Sequence, residues 1–365
     1  MSKLPTLYAK FKKELGVQFV IEDWIAVDII IAVPVAHYTA TGESLWLRVI
    51  DASRSGKTEL LRCVIAYPDV REVEVITPAA LRGGLKGGAK VLDRIKGHVV
   101  VTKDLAALLS SRREVKNEIF GLLRNIKDGR LVSDYGTEEG NVCQEGIFDW
   151  IIAVTPIIEQ QRQFENLLGA RFVDLRWITA DREKMADKAI ENNPRLSSIR
   201  AKLADLMKEL LECAKNQGSS YSPRLGIHWI ARVADQAALC RSPVQRDTRH
   251  HPIAMPNPEI GTELAQGFSR IAAGLLALGI ENYKPYIWRL FADAIPDIRR
   301  RVLKELVNET ATTGAGIALK IGLSEAMIGY HLEDIKLLGI DLSKLRELRE
   351  SVETPLEVKG EANVF

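Results

Sequence analysis

A short apolar run, Ser44–Ile50 (SLWLRVI), leads directly into Asp51-Ala52-Ser53-Arg54-Ser55-Gly56-Lys57-Thr58, and residues 59–66 continue with helical periodicity. Few local patterns constrain a chain this tightly. A strand that turns through Ser-Gly-Lys-Thr into a helix aims main-chain N–H groups and the positive end of the helix dipole at one point, and that point suits an anion. On this reading Ser53, Arg54, Ser55, Gly56, Lys57, Thr58 and Glu59 surround the phosphates of a bound nucleotide. Gly56 lets the backbone come close, Lys57 reaches the terminal phosphates, and the Thr58 hydroxyl holds Mg²⁺. One position departs from the phosphate-loop pattern, which wants glycine where this chain has Asp51.

The rest of the first half supports a parallel α/β sheet. Strands are expected at Val73–Ile76, His98–Thr102, Trp150–Thr155 and Arg171–Leu175, with helical stretches between them, one of which starts at Leu105. The acid that holds Mg²⁺ or polarises water should follow a neighbouring strand. Asp104, after Val99-Val100-Val101-Thr102-Lys103, has that context. A second acid is lacking in Lys103-Asp104-Leu105, unless Glu114 or Glu118 substitutes for it. Residues 83–88 are a glycine-rich loop, and 129–146 read as an inserted β-hairpin. Residues 1–44 look helical, with the apolar run Trp24–Val35 buried. Strand signals stop after residue 180; helices are expected over 183–215, 225–241 and 260–279, and the proline-rich stretch 242–259 is a loop.

The spacing from Ser-Gly-Lys-Thr through Lys103-Asp104 and Trp150–Pro156 to Gly169-Ala170-Arg171-Phe172-Val173-Asp174-Leu175 resembles an AAA+ ATPase core. It is closest in pattern to ATPases related to the minichromosome maintenance helicases, found on phages, plasmids and other mobile elements. Trp46 before the loop, Thr77-Pro78, and Lys-Asp as the second acid motif all fit that group. The resemblance implies a nucleotide-binding core over residues 1–180, a helical lid over 181–292, a winged-helix or helix-turn-helix domain over 293–345 and a tail over 346–365. It implies ATP and Mg²⁺ as cofactors and a catalytic set of Lys57, Asp104, Thr155 and Arg171, with Thr58 and Asp104 on the metal. Thr155 takes the sensor position. Arg171, with Arg176 as the alternative, takes the place of an arginine finger acting on a neighbouring copy, so a ring or other homo-oligomer is expected. Relatives carry a lid arginine where this chain has Glu263, and Arg270 is the substitute two turns later.

DNA is the expected partner. Arg82 and Lys86 in the first loop, and Lys127, Arg130 and Tyr135 around the hairpin, are candidate backbone contacts, because Lys and Arg neutralise phosphate. In the C-terminal domain a helix from Ile298 to Val307 carries Arg299-Arg300-Arg301, Thr312-Thr313 caps residues 314–321, Gly322-Leu323 turns, and Ser324 caps residues 325–338. The last helix would present Glu325, Ala326, Gly329, Tyr330 and Glu333, a surface without excess positive charge.

The 365 residues carry a net charge of +2, which argues against a protein that coats DNA through global charge. The four cysteines, Cys63, Cys143, Cys213 and Cys240, lack zinc-site spacing and are expected to be reduced. Residues 1–13 are polar and basic without an apolar stretch behind them, so neither a signal peptide nor a membrane span is expected, and the location is read as cytoplasmic. These readings converge on an ATP-driven, oligomeric DNA motor or replication helicase of a mobile element. The alternative is a nucleotide-regulated loader or transposition regulator that hydrolyses little. A stand-alone metabolic kinase explains neither the lid-like helices nor the C-terminal domain.

Overall fold

The computed structural model describes residues 3–52, 56–74, 76–82, 91–105, 108, 110–134, 141–161, 171–179, 181–219, 221 and 226–352. The chain forms two compact units. One comprises residues 1–223 and 270–281, the other residues 224–269 and 282–365.

The first unit is a five-stranded sheet in the order β2-β3-β6-β1-β7, all neighbours parallel. The strands are β1 (Trp46–Ile50), β2 (Val70–Glu72), β3 (Val99–Thr102), β6 (Asp149–Val154) and β7 (Val173–Arg176). Strands β1, β3 and β6 are buried at every position, which is why they read as unbroken apolar runs rather than alternating ones. Trp46, Ile50, Trp150, Ile152, Val154 and Phe172 share one core with helices α4 (Pro78–Arg82), α5 (Val91–Ile95) and α6 (Arg113–Lys127). The remaining helices of this unit are α1 (Lys3–Gln18), α2 (Trp24–Thr39), α3 (Lys57–Ile65), α7 (Arg182–Asn192) and α8 (Leu196–Gln217). Helix α8 packs on α1, α2 and α3. Residues 25–36 of α2 are all buried, as the absence of a polar face in its sequence requires. Its one acid, Asp28, accepts from Lys12 Nζ at 2.7 Å and from the Tyr8 hydroxyl. The hairpin expected at 129–146 is present as β4 (Arg130–Asp134) against β5 (Asn141–Glu145).

Three sequence expectations shift. The second strand lies three residues earlier than Val73–Ile76, although Val73 N–H still reaches the Val101 carbonyl at 3.0 Å. After Leu105, whose N–H bonds the Ala153 carbonyl of β6, Leu108 is helical, residues 106, 107 and 109 lie outside the described residues, and a separate helix starts at Arg113. Pro194 divides the helix expected over 183–215, with a short 3₁₀ turn at Asn193–Arg195 separating α7 from α8. Both helices belong to the first unit.

The second unit is helical: α9 (Ile227–Arg241), the start of α10 (Thr262–Ala277), α11 (Lys284–Ala294), α12 (Asp297–Val307), α13 (Gly314–Ile321), α14 (Glu325–Leu337) and α15 (Leu342–Glu350). Thr313 and Ser324 cap α13 and α14 through their hydroxyls, and Gly322 ends α13 at φ 76°, as their sequence positions predict. Helix α15, capped by Asp341, packs on α12 and α9, so residues 346–350, expected in the tail, are helical and packed in this unit. Among the described residues of this unit the only β pairing is a bridge between Arg246 and Pro252.

Candidate functional site

The site grows from the exit of β1. Strand β1 ends at Ile50, Asp51 N–H bonds the Val154 carbonyl of β6 at 3.1 Å, and Gly56 precedes α3. Gly56 has φ 92°, a left-handed conformation that favours glycine, and caps α3. Among the described residues a Cβ there would meet nothing closer than the Met185 methyl at 3.9 Å. Ser53, Arg54 and Ser55 lie outside the described residues.

Lys57 is the first residue of α3 and is buried. Its ammonium donates to the carbonyls of Asp51 at 2.7 Å, Ala52 at 3.2 Å and Val154 at 3.3 Å. The charge therefore sits at the carboxyl ends of β1 and β6, the edge of a parallel sheet where ligands bind. Burial holds this ammonium below the usual lysine range, against the opposing pull of Asp51 and Asp104. Thr58, half-buried, occupies the next position on the first turn. Together, the Gly56 conformation, the free end of α3 and the Lys57 ammonium fit a nucleotide phosphate, and Thr58 with Asp104 supplies oxygen donors suited to Mg²⁺.

Asp104 reaches this edge by a route that sequence reading did not foresee. Strand β3 is not next to β1; β6 lies between them. The Leu105–Ala153 hydrogen bond carries the exposed Asp104 back toward β6. Lys103 turns away, pairing with Glu72 at 2.5 Å and Glu74 at 3.2 Å. Thr155 follows the last residue of β6, the strand whose Val154 carbonyl accepts from Lys57. Thus Gly56, Lys57, Thr58, Asp104 and Thr155 belong to one edge of the sheet.

Other expected site residues lie elsewhere. The Glu59 carboxylate takes two hydrogen bonds from Arg200 of α8, at 2.8 and 2.6 Å; only its N–H, bonded to the Gly56 carbonyl at 3.1 Å, faces the loop. Arg171 precedes β7 at the opposite, amino-terminal edge and pairs with Asp128 at 3.1 Å. Arg176 ends β7 on the phosphate side and pairs with Glu159 at 2.5 Å. Arg270 is buried at the amino-terminal edge, bidentate to Asp149 at 2.6 and 2.8 Å, so it is remote from the phosphate edge and does not replace a lid arginine.

The candidate DNA contacts separate in the same way. Lys127 is buried, donates to the Ser44 carbonyl and lies over the Trp46 ring, so it is a structural cation and not a surface one. Arg82 pairs with Glu118 at 2.6 Å, which also commits that acid. Arg130 is exposed opposite Glu145 across the hairpin. Lys86 and Tyr135 lie outside the described residues. In the second unit Arg299 is buried against Asp334, and Arg300 and Arg301 both pair with Asp297, so the arginine triplet offers little free charge. Tyr330 of α14 carries Arg246 over its ring at 5.3 Å and His250 beside it at 5.1 Å.

Sequence reading missed Thr179, which donates to both Asp51 oxygens at 3.0 and 3.1 Å, and Arg200, which takes Glu59 away. No family model matches the chain, and no curated protein matches it. No helix among the described residues is long and apolar enough to cross a membrane.

Proposed function

We propose that the chain binds ATP with Mg²⁺ at the β1–α3 junction and works as an oligomeric AAA+ ATPase on DNA, as a cytoplasmic replication helicase or DNA motor of a mobile element. The observation that carries the nucleotide reading is the Lys57 ammonium at the carboxyl ends of β1 and β6, beside a left-handed Gly56 at the start of α3. When bound, Mg²⁺ would supply positive charge that offsets the negative charge of the phosphates. Lys57 would stabilise the terminal phosphates, Thr58 and Asp104 would orient the metal, and Thr155 would position water or phosphate oxygen.

The oligomer reading rests on Arg171. At the edge opposite Lys57 it is out of reach of its own site, so any action on a nucleotide falls on that of a neighbouring copy. DNA contact rests on Arg82 and Arg130 in unit one, with Lys86 and Tyr135 as sequence-based candidates.

A second reading, a nucleotide-regulated assembly protein with little hydrolysis, is favoured by the acids. Among the described residues Asp104 follows β3 at the phosphate edge, while Glu118 is tied to Arg82. Phosphate release, measured with and without single- and double-stranded DNA, separates the two. The motor predicts turnover that DNA stimulates; nucleotide binding with no turnover in either condition supports the regulator and contradicts the motor.

A further inference from the structure

The position where a phosphate loop wants glycine holds Asp51, one residue past β1. A carboxylate this close to a phosphate site has two ways to harm it. It can repel the incoming phosphates, and it can pair with the lysine that should meet them. The second is avoided in the structure. Lys57 Nζ bonds the Asp51 main-chain carbonyl at 2.7 Å, together with two other carbonyls, and not the Asp51 carboxylate.

The carboxylate is held elsewhere. Thr179, on the segment that follows β7, donates its hydroxyl to both oxygens at 3.0 and 3.1 Å, and Ala52 N–H donates to Oδ1 at 2.6 Å. The segment carrying Thr179 is itself fixed. Trp177 N–H bonds the Ile50 carbonyl at 3.0 Å, and Ile178 N–H bonds Asp23, the residue that caps α2, at 2.9 Å. Two strand exits and a helix start thus set where the Thr179 hydroxyl sits, and the hydroxyl sets where the carboxylate sits.

We propose that Thr179 is a positioning residue of the nucleotide site, a clamp that holds the Asp51 carboxylate out of an ion pair with Lys57, so that an incoming phosphate displaces only neutral carbonyls from the ammonium. The inference rests on the nucleotide reading above. It assigns opposite effects to the two partners. Asp51→Asn keeps an acceptor for Thr179 and Ala52 and removes only the charge, so it strengthens binding. Thr179→Val keeps the charge and releases it, so the carboxylate turns to Lys57 and binding weakens. Thr179→Ser restores the hydroxyl and rescues.

Equilibrium titration of MgATP, MgADP and adenosine against purified full-length protein tests this. Asp51→Asn is expected to bind MgATP about tenfold more tightly, the scale set by removing one like charge from a partly solvated site. Thr179→Val is expected to bind about three- to tenfold more weakly, with Thr179→Ser near wild type. Adenosine affinity should not move in any variant, which a general loss of structure would not reproduce. In the Asp51→Asn background Thr179→Val should change nothing, because no charge is left to park. Unchanged or weaker MgATP binding by Asp51→Asn, or a Thr179→Val effect that persists in that background, overturns the clamp. Failure of the clamp alone leaves wild-type MgATP binding and its dependence on Lys57 intact. Absence of wild-type binding removes the nucleotide reading itself.

Discussion

At the residue scale the first unit depends on a few charges that it buries completely. Asp149 opens β6, accepts from Leu45 N–H at 2.6 Å and from His37 Nδ1 at 2.8 Å, and receives both terminal nitrogens of Arg270. Burial alone would raise its pKa, but Arg270 and His37 outweigh that and hold the carboxyl below the usual range. A carboxylate whose pKa is lowered on folding stabilises the protein above its unfolded pKa and loses that contribution as pH falls through the folded value. Asp149→Ala leaves Arg270 buried and unpaired and is expected to cost about 3–5 kcal/mol at neutral pH. In urea titrations the gap between wild type and variant should hold above about pH 5 and narrow below the unfolded carboxyl value of about 3.9. A variant as stable as wild type at pH 7 contradicts this account. Arg48 of β1 and Asp174 of β7 make a comparable buried pair, at 2.7 and 2.9 Å, on neighbouring strands.

At the element scale, what could be read from the sequence follows the distance between interacting residues along the chain. The strand–loop–helix at Lys57 and the caps at Thr313, Gly322 and Ser324 were legible, because each is decided by residues within one turn. The Asp51–Thr179 and Asp149–Arg270 contacts span 128 and 121 residues, and no local pattern announces them. The same holds for α14. Its exposed face reads as a recognition surface, yet Arg246, from the proline-rich segment, bonds Glu333 and Asp334 at 2.7 Å and lies on Tyr330. Only folding brings that segment, 88 residues earlier than Asp334, onto the helix. Asp334 also holds the buried Arg299 at 2.9 Å. Arg246→Ala is therefore expected to cost about 1–2 kcal/mol, since Arg299 still neutralises Asp334. Asp334→Ala should cost about 3–5 kcal/mol, because it leaves Arg299 buried without its partner. Equal losses in denaturant titrations of the two variants would contradict this ranking.

At the scale of the whole molecule, the proposed function calls for a second copy of the chain. The sheet places Lys57 and Arg171 at opposite edges of one unit. If Arg171 completes a neighbour's site, Arg171→Ala should keep wild-type nucleotide affinity and lose turnover, at a scale of about 10³-fold for an arginine finger. Mixing it with Lys57→Ala subunits should then recover part of the activity, because one variant supplies the arginine and the other the intact phosphate loop. No recovery on mixing would leave Arg171 as the partner of Asp128 alone. All these expectations rest on the nucleotide site at the start of α3. Its most direct test is calorimetric titration of MgATP into wild type and Lys57→Ala, with folding of both checked by circular dichroism. Saturable binding by wild type and none by a folded Lys57→Ala is the predicted result; equal affinities, or no binding by wild type, would contradict it.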